Sequence, residues 1–348
     1  HLDKIKINQN YKKNKKTFEI IGSIDLTNSK VDISKLNYNK EKGQKSEVDF
    51  DINFIMNNYY EIKNMNFFTE IDKISIYELN LNQRFQVDNF KSFEVKTFKE
   101  KIENNNFSIK NNKEIIISGD IFDAQPLLKS LYKDNTEKTF SKKFNRKIKI
   151  NFNKALTGTN DDVSNFSMIA SINSGSYDKL LLKGNFSDNE IIEVSIYKIN
   201  DVKKTLQVIS DRARPFIKNF DFVEGFEGGR LEYDSILTNK ISNSNLTITN
   251  FKVSKVPALA KLLTLASLQG IADTLSGDGI RFESFEMKTN SKGNIMNIED
   301  ALATGPAVSI LLEGYVDKGK TVSLRGTLVP ATKLNSIIAS IPVVGDIL

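Results

Sequence analysis

Two pairs of consecutive acids, Asp161-Asp162 and Glu299-Asp300, are the residues of this sequence whose types could support general acid/base chemistry. Glycosidases use two carboxylates held at a defined separation across the scissile bond. Consecutive residues of a strand point to opposite faces, however, so adjacent acids do not converge on one substrate. We therefore assign both pairs to turns or solvated loops, and a carboxylate-dependent glycosidase remains only a third hypothesis.

A Ser-x-x-Lys spacing, which some hydrolases use for nucleophilic catalysis, occurs at residues 130–133, 176–179 and 195–198. In those enzymes the serine opens a helix. Here the local pattern places the first serine at the end of a short helix, the second in a turn and the third on a strand. The spacing therefore predicts no nucleophile.

The amino-acid composition excludes most other catalytic mechanisms. Cys and Trp are absent and the only His is residue 1, which excludes thiol nucleophiles, Cys/His zinc sites and histidine acid/base catalysis. Calcium-binding loops and Gly-rich phosphate loops are also missing, and we interpret Gly228-Gly229-Arg230 as a tight turn into a strand at 231–233. We expect no catalytic residues, no metal and no cofactor.

The basic residues indicate a solvated surface rather than a nucleic-acid interface. Lys and Arg together number 49 against 43 acidic residues, but only seven of the 49 are Arg. Nucleic-acid recognition favours Arg, whose planar fork contacts phosphate and guanine through two hydrogen bonds. The Phe residues fall at the inward positions of the strand pattern and do not form an exposed stacking platform. We predict no nucleic-acid partner.

Alternation with a period of two dominates residues 17 to about 120. Val48, Phe50, Ile52 and Phe54 alternate with polar or acidic neighbours, which predicts strands with one apolar face. Turn signals such as Asn111-Asn112 and Ser174-Gly175 separate the strands at spacings typical of an antiparallel meander. The predicted fold class is mainly β, with a few short helices of which the largest lies near the C-terminus. Similar strand patterns recur at 148–152, 166–172, 180–182, 192–196, 246–248 and 308–312.

Short helices interrupt this pattern. Asp123 is placed as the N-cap of a helix through Tyr132, and Asp211 opens a similar one that ends near Asn219. The longest helical pattern runs from Val256 to Gly277 and is apolar on more than one face, which fits either a core helix or a helix that contacts lipid.

The sequence contains no run of about 18 to 20 apolar residues of the kind that crosses a membrane. It begins with His, and a last helical pattern at 331–341 is followed by further apolar residues. We expect a fragment of a longer protein. Any signal peptide or anchor would then lie upstream of this sequence.

The last hundred residues contain a series of motifs in a recognisable order. Pro257-Ala258-Leu259-Ala260-Lys261-Leu262-Leu263 resembles the C-terminal region of AsmA-like proteins of the YhdP type. The similarity continues to the C-terminus, whereas residues 1 to about 110 resemble the family only in architecture. The further motifs are Leu265–Gly270, Leu275–Phe282, Ala303–Ala307, Leu324–Pro330, Leu334–Ser336 and Ile341–Asp346.

This resemblance implies a long, sharply curved β-sheet with an apolar inner groove, of the taco-like, repeating kind. It also implies a periplasmic location in a Gram-negative envelope, with an inner-membrane anchor in a segment outside this chain. Members of the family are viewed as non-enzymatic bridges along which phospholipids move between the inner and outer membranes, supporting the outer-membrane barrier. Phospholipids and the two membranes are then the expected partners, and possible protein partners in the envelope stay open.

On this reading residues 1–120 form a β-groove segment, residues 121–255 form a second one with two short helices, and residues 256–348 form the AsmA-like C-terminal region. Either strand face could line the groove, because a one-residue register error inverts the assignment. The groove candidates are Phe50, Ile52, Phe54, Phe166, Met168, Ile172, Leu246 and Ile248, and the candidates for a capping helix are Leu259, Leu262, Leu263 and Leu268.

The rival interpretation is a structural β-scaffold, an envelope assembly or adhesion module whose inner face is packed solid. The two differ in one observable feature. A lipid bridge requires an apolar stripe larger than soluble monomers normally expose, whereas a scaffold buries that stripe in a closed core.

Overall fold

Nearly all regular structure in the residues that the structure describes is β. Twenty strands belong to one long mixed sheet and two more form a separate hairpin, so the predicted mainly-β class is confirmed. The chain divides into two compact units, His1–Ser176 (unit 1) and Tyr177–Leu348 (unit 2), while the segment boundaries near 120 and 255 stay predictions. The computed structural model describes residues 4–12, 17–55, 59–132, 144–158, 161–187, 189–217, 225–238, 241–254, 279–317 and 321–330.

Unit 1 is built from thirteen strands, eleven of them in the sheet. The strands are β1 (Lys4–Lys12), β2 (Thr17–Asp25), β3 (Val31–Ile33), β4 (Tyr38–Lys40), β5 (Glu47–Ile55), β6 (Tyr59–Phe68), β7 (Lys73–Asn82), β8 (Val87–Asn89), β9 (Ser92–Lys99), β10 (Ile102–Asn111), β11 (Ile115–Asp123), β12 (Arg146–Leu156) and β13 (Val163–Asn173). Neighbours in the sheet run in the order β1, β2, β5, β6, β7, β9, β10, β11, β12, β13, with β8 added beside β7.

One pair of strands departs from the expected antiparallel meander. Strands β11 and β12 are parallel, and the chain between them includes the helix α1 (Gln125–Tyr132). A turn is enough to connect antiparallel strands, but parallel neighbours need a longer crossover, commonly a helix. The helix predicted after Asp123 is that crossover. Its cap is confirmed, since the Gln125 backbone N–H donates to Asp123 Oδ1 at 3.1 Å.

Strands β3 and β4 belong to an insertion, residues 26–46, between the neighbouring strands β2 and β5. The two short strands pair with each other and enclose a 3-10 turn at Ser34–Leu36. Asn37 follows this turn with a φ of 50°, a left-handed conformation that Asn tolerates better than most residues.

Unit 2 is an uninterrupted antiparallel meander in which each strand pairs with the next. A short helix, α2 (Arg214–Ile217), precedes its fourth strand; the helix predicted here was longer, and residues 218–224 lie outside the described ranges. The strands are β14 (Ser176–Ser187), β15 (Glu190–Lys198), β16 (Lys203–Ser210), β17 (Phe226–Thr238), β18 (Ile241–Val253), β19 (Ile280–Lys292), β20 (Ile295–Thr304), β21 (Val308–Asp317) and β22 (Thr321–Pro330).

The interpretation of Gly228-Gly229 as a turn is wrong, because both glycines lie within β17. Their φ angles are 71° and 83°, and Asn250 on the neighbouring strand has a φ of 56°. Left-handed residues interrupt a ladder without ending the strands, as in a bulge. Pairing resumes on both sides of the irregularity.

The helical patterns at 256–277 and 331–341 lie outside the described residues, as do the capping-helix candidates Leu259, Leu262, Leu263 and Leu268. Among the residues that the structure describes, no helix is long and apolar enough to cross a bilayer.

Candidate functional site

A row of apolar side chains crosses unit 1 from β2 to β13. Phe50 on β5 lies opposite Met65 on β6, which lies opposite Ile76 on β7. Directly paired residues project from the same face of a sheet, so each partner continues the row. No member is charged or polar. We call this set the unit 1 apolar row: Gly22, Phe50, Met65, Ile76, Phe93, Ile109, Ile117, Ile150 and Met168.

The side chains of this row are only partly covered. Phe50 is buried, with 9% of its surface exposed, but the other large side chains of the row are half-buried. Nine strands at about 4.8 Å spacing give the row a length on the order of 38 Å. A half-covered apolar row of this length differs from a packed core, in which such residues lose nearly all their exposure.

The neighbouring ladder on the other face has the opposite character. Each of its residues is one position away from a member of the unit 1 apolar row, and every one is polar or acidic. Between these two neighbouring ladders, the register therefore separates apolar side chains from hydrophilic ones along nine strands. The hydrophilic ladder consists of Ser23, Asp49, Asn66, Ser75, Glu94, Ser108, Ser118, Asn151 and Ser167.

A second apolar row crosses all nine strands of unit 2. Leu246 on β18 lies between Tyr233 on β17 and Met287 on β19, and each of these side chains is half-buried. Ion pairs occupy the other face, for example Lys183 Nζ to Glu193 Oε1 at 2.7 Å. The unit 2 apolar row is Leu182, Val194, Val208, Tyr233, Leu246, Met287, Ala301, Leu312 and Gly326.

One edge of the apolar face of unit 1 is covered by the insertion 26–46. We call this the covered edge. It is the edge where neighbouring strands end in the directly paired residues Asp25, Glu47, Phe68 and Lys73. Leu36 of the insertion packs against a cluster of Val95, Phe107 and Phe152. These three residues belong to the ladder next to the unit 1 apolar row, and Ile109, Ile117 and Ile150 of that row pack against the same cluster.

Hydrogen bonds fasten the insertion to this edge. Tyr38, with 2% exposure, packs edge-on against Phe67 and donates to Asp72 Oδ2 at 3.0 Å. Burial and the nearby Asp72 carboxylate raise the pKa of Tyr38, so the phenol stays protonated as a donor. Asn105 Nδ2 donates to the Leu36 carbonyl oxygen at 2.8 Å. The insertion is therefore an integral part of unit 1.

Lys40 ends the second strand of the insertion and is fully buried. Its ammonium donates to the carbonyl oxygens of Leu26 at 2.7 Å, Thr27 at 3.2 Å and Ser29 at 2.6 Å. Burial lowers the pKa of this ammonium from its ordinary value, because desolvation disfavours the charged form. Three carbonyl acceptors satisfy the three N–H donors of the group and hold the start of the insertion in place.

Within the described residues of unit 2, α2 covers part of the apolar face. Ala213, next to α2, is buried in a cluster with Leu231, Ile248 and Phe251, and Phe216 of α2 packs against this cluster. Asp211, before the helix, accepts a 2.8 Å hydrogen bond from the Ile191 N–H and pairs with Arg230. The unit 2 apolar row lies one ladder away from Leu231 and Ile248.

Four aromatic rings line the edge of unit 1 opposite the insertion, which we call the opposite edge. Phe18 and Phe54 have ring centroids 6.4 Å apart, Phe54 and Tyr60 5.3 Å, and Tyr60 and Phe85 4.6 Å. Phe85 belongs to the turn after β7, has a φ of 56° and is 66% exposed. The apolar face thus continues to this edge as an aromatic border.

The groove candidates are distributed over both apolar faces. Phe50 and Met168 belong to the unit 1 apolar row and Leu246 to the unit 2 apolar row, as the register shows. Ile52, Phe54 and Phe166 share the same face of unit 1 and are half-buried. Ile172 and Ile248 are each 3% exposed, so these two side chains are packed rather than available to a ligand.

The residues considered for catalysis are not brought together. Asp162 pairs with Lys154 at 2.9 Å and Asp300 with Lys288 at 3.8 Å. Lys198, from the Ser-x-x-Lys spacing on β15, pairs with Asp201 at 2.8 Å. Among the described residues, no group of three or more Asp, Glu, His or Cys side chains is placed to hold a metal ion.

Sequence reasoning missed the polar residues of the covered edge. Asn104, Asn105 and Thr97 are buried, although Asn in a strand pattern is typical of a solvated face. The only available signal was the interruption of the alternation at Asn104-Asn105-Asn106, where the β9–β10 register shifts.

Comparison with known proteins yields no relative of this chain: no family model, no curated protein and no solved structure matches it.

Proposed function

We propose that this protein is a non-enzymatic carrier that holds the acyl chains of phospholipids on its apolar rows and lets them move along the sheet. The single observation that carries the proposal is the pair of uncharged rows, each crossing nine strands, whose large side chains are mostly half-buried. Soluble proteins rarely leave apolar stripes of this extent uncovered without a ligand or partner.

The chemistry of the two faces supports this assignment. An acyl chain gains about 0.8 kcal/mol for each methylene that leaves water. The hydrophilic ladder that contains Asp49, Glu94 and Asn151 offers an acyl chain no apolar side chains, so a lipid gains more on the face of the unit 1 apolar row. Headgroups would remain at an edge of the sheet, where water is accessible.

Movement along the rows requires no reaction. Successive members such as Ile109, Ile117 and Ile150 offer nearly equal apolar environments at strand spacing. A chain that moves by one strand exchanges one such contact for another, whereas leaving the sheet costs the full transfer free energy to water. Sliding is therefore favoured over release.

The resemblance of residues 257–346 to AsmA-like proteins of the YhdP type supports a specific cellular process and location for this carrier. On that basis the chain carries phospholipids between the inner and outer membranes of a Gram-negative envelope, in the periplasm, and helps to maintain the outer-membrane barrier. An anchor in the inner membrane would belong to a part of the parent protein outside this chain.

Mass spectrometry of organic extracts from the gently purified chain tests the proposal. We expect phospholipid in stoichiometric amount, absent from a control protein purified in the same way. A folded chain that is free of lipid, and still empty after incubation with liposomes, would contradict it and favour a structural scaffold.

The scaffold is the second candidate, and the clusters beneath the insertion and α2 are the observations that favour it. In a scaffold, this chain would bury these clusters with its own residues. Another protein would cover the apolar rows and complete the core.

A further inference from the structure

An open depression of about 850 Å³ lies at the opposite edge of unit 1, where β11 and β12 begin and β13 ends. Its charged lining residues are Lys113, Arg146, Lys147 and Glu114. Lys149 Nζ lies 2.7 Å from Glu114 Oε1, so the acidic group of the lining is already neutralised. The depression is therefore positively charged.

The three cations have no acidic partner among the residues that the structure describes. Arg146 donates through one guanidinium nitrogen to the carbonyl oxygen of the preceding residue at 3.1 Å. Elsewhere the guanidinium groups of Arg212, Arg230 and Arg325 contact carboxylates. Arg146 differs from these three because it faces a depression and contacts no carboxylate of a described residue.

The residue type at position 146 is informative, because this chain uses Lys at 42 of its 49 basic positions. Arg presents a planar fork that binds phosphate oxygens through two hydrogen bonds, whereas Lys acts as a point charge. Asn112 and Ser171 also line the depression and supply neutral donors. We infer that this depression binds a phosphate group, as a monoester or a diester.

The position of Arg146 connects this site to the apolar face. Arg146 pairs with Ile172 and lies four residues along β12 from Ile150, so it is on the face of the unit 1 apolar row. Lys147 and Ser171 pair with each other on the other face, so the depression has lining residues from both faces at the edge of the sheet. Four residues of strand span about 13 Å, less than the length of an acyl chain. A phospholipid on the row could thus place its phosphate here, a step that rests on the proposed function. Phosphate binding itself does not depend on it.

Titration calorimetry with three probes tests the inference: dihexanoyl phosphatidic acid, dihexanoylglycerol, which lacks only the phosphate, and inorganic phosphate. The test variant combines Lys113→Gln, Arg146→Gln and Lys147→Gln. A matched control combines Lys35→Gln, Lys42→Gln and Lys45→Gln, which removes the same charge from exposed positions of the insertion. Thermal unfolding of both variants verifies that they are folded.

We expect the test variant to bind phosphatidic acid at least about tenfold more weakly than the native chain, and the control to bind within about twofold, because charge-assisted hydrogen bonds to phosphate are lost only in the first. Equal weakening in both variants, or none in either, would overturn the site. Inorganic phosphate binding as tightly as phosphatidic acid would support the site but assign it to free phosphate instead of a headgroup.

The remaining probe separates this inference from the proposed function. In one outcome, the native chain does not bind dihexanoylglycerol while the test variant still binds phosphatidic acid more weakly than the native chain does. That result would contradict the apolar rows as a lipid site and support the phosphate site. Binding of dihexanoylglycerol and phosphatidic acid with equal affinity would overturn the phosphate site and support the rows.

Discussion

Asn37 Nδ2 donates a 2.7 Å hydrogen bond to Asp123 Oδ2, which joins the insertion of unit 1 to the end of β11 across 86 residues of sequence. Asp123 is 1% exposed and also accepts from Asn104 Nδ2 at 3.3 Å. Its other oxygen caps α1. One buried carboxylate thus connects the cover of the apolar face with the crossover helix.

Replacing this carboxylate should destabilise unit 1. Asp123→Ala removes the acceptor of the first helical N–H of α1 and of the Asn37 and Asn104 amides, and we expect the free energy of unfolding to fall by about 3 kcal/mol. Chemical denaturation measures the effect. Asp120→Ala, which removes an exposed carboxylate that accepts from Asn153 at 2.9 Å, is the control and should cost less than about 1 kcal/mol. Equal costs would show that the network does not stabilise the fold.

Lys40→Met tests the buried ammonium. At pH 7 the variant removes the three hydrogen bonds that the ammonium donates, and we expect a loss of about 2 kcal/mol in the free energy of unfolding. Burial lowers the pKa of Lys40 in the folded state, so the unfolded chain binds more protons as the pH approaches 10.5.

The stability that Lys40 contributes must therefore rise with pH in that window. We expect the difference in unfolding free energy between the native chain and Lys40→Met to increase in favour of the native chain from about pH 8 to pH 10. Taking the difference cancels the titration of the other lysines. A difference that stays constant or falls with pH would contradict a desolvated ammonium.

Charges introduced on the two faces of β13 should affect bound lipid differently. Met168→Glu places a carboxylate in the unit 1 apolar row, whereas Ser167→Glu places it in the hydrophilic ladder one position away. Extraction and mass spectrometry should find several-fold less phospholipid on the first variant, because an acyl chain does not compensate for the desolvation of a carboxylate. An equal lipid content in the two variants would argue against this face as the site.

The packing of the aromatic border of unit 1 can be tested by measuring the free energy of unfolding. Phe54 lies between Phe18 and Tyr60, whereas Phe85 contacts Tyr60 and is 66% exposed. Phe54→Ala should lower the free energy of unfolding by about 2 kcal/mol more than Phe85→Ala, since truncation costs most where more area is buried. Equal costs would mean that the Phe85 ring is packed as tightly as Phe54.

Much of the apolar face could be predicted from sequence because strand alternation is a local property. The run Val48, Phe50, Ile52, Phe54 already separates the two faces of β5, and the structure places all four on one face. The register between strands is not local, however. The alignment of Phe50 with Met65 and then Ile76 depends on a shift in the β5–β6 pairing and on the turns.

The covered edge could not be derived from sequence. Asn37, Asn104 and Asp123 are far apart in the chain, and each by itself has the character of a solvated turn residue. Their burial follows from the insertion folding over the strand ends, a tertiary arrangement without a period. The parallel pairing of β11 and β12 was missed for the same reason, since a short helix between strands does not reveal which way the chain returns.

The central claim is that phospholipids are held on the apolar rows. The most direct test is photocrosslinking from pairs of neighbouring residues on β11 and β18. A benzophenone amino acid placed at Ile117 or Leu246 lies in an apolar row, and at Ser118 or Thr247 it lies on the other face; all four side chains are half-buried. In cells producing the chain, irradiation should yield phospholipid adducts at Ile117 and Leu246 but not at Ser118 or Thr247. Adducts at none of these positions, or equally at all four, would contradict lipid carriage on the apolar rows.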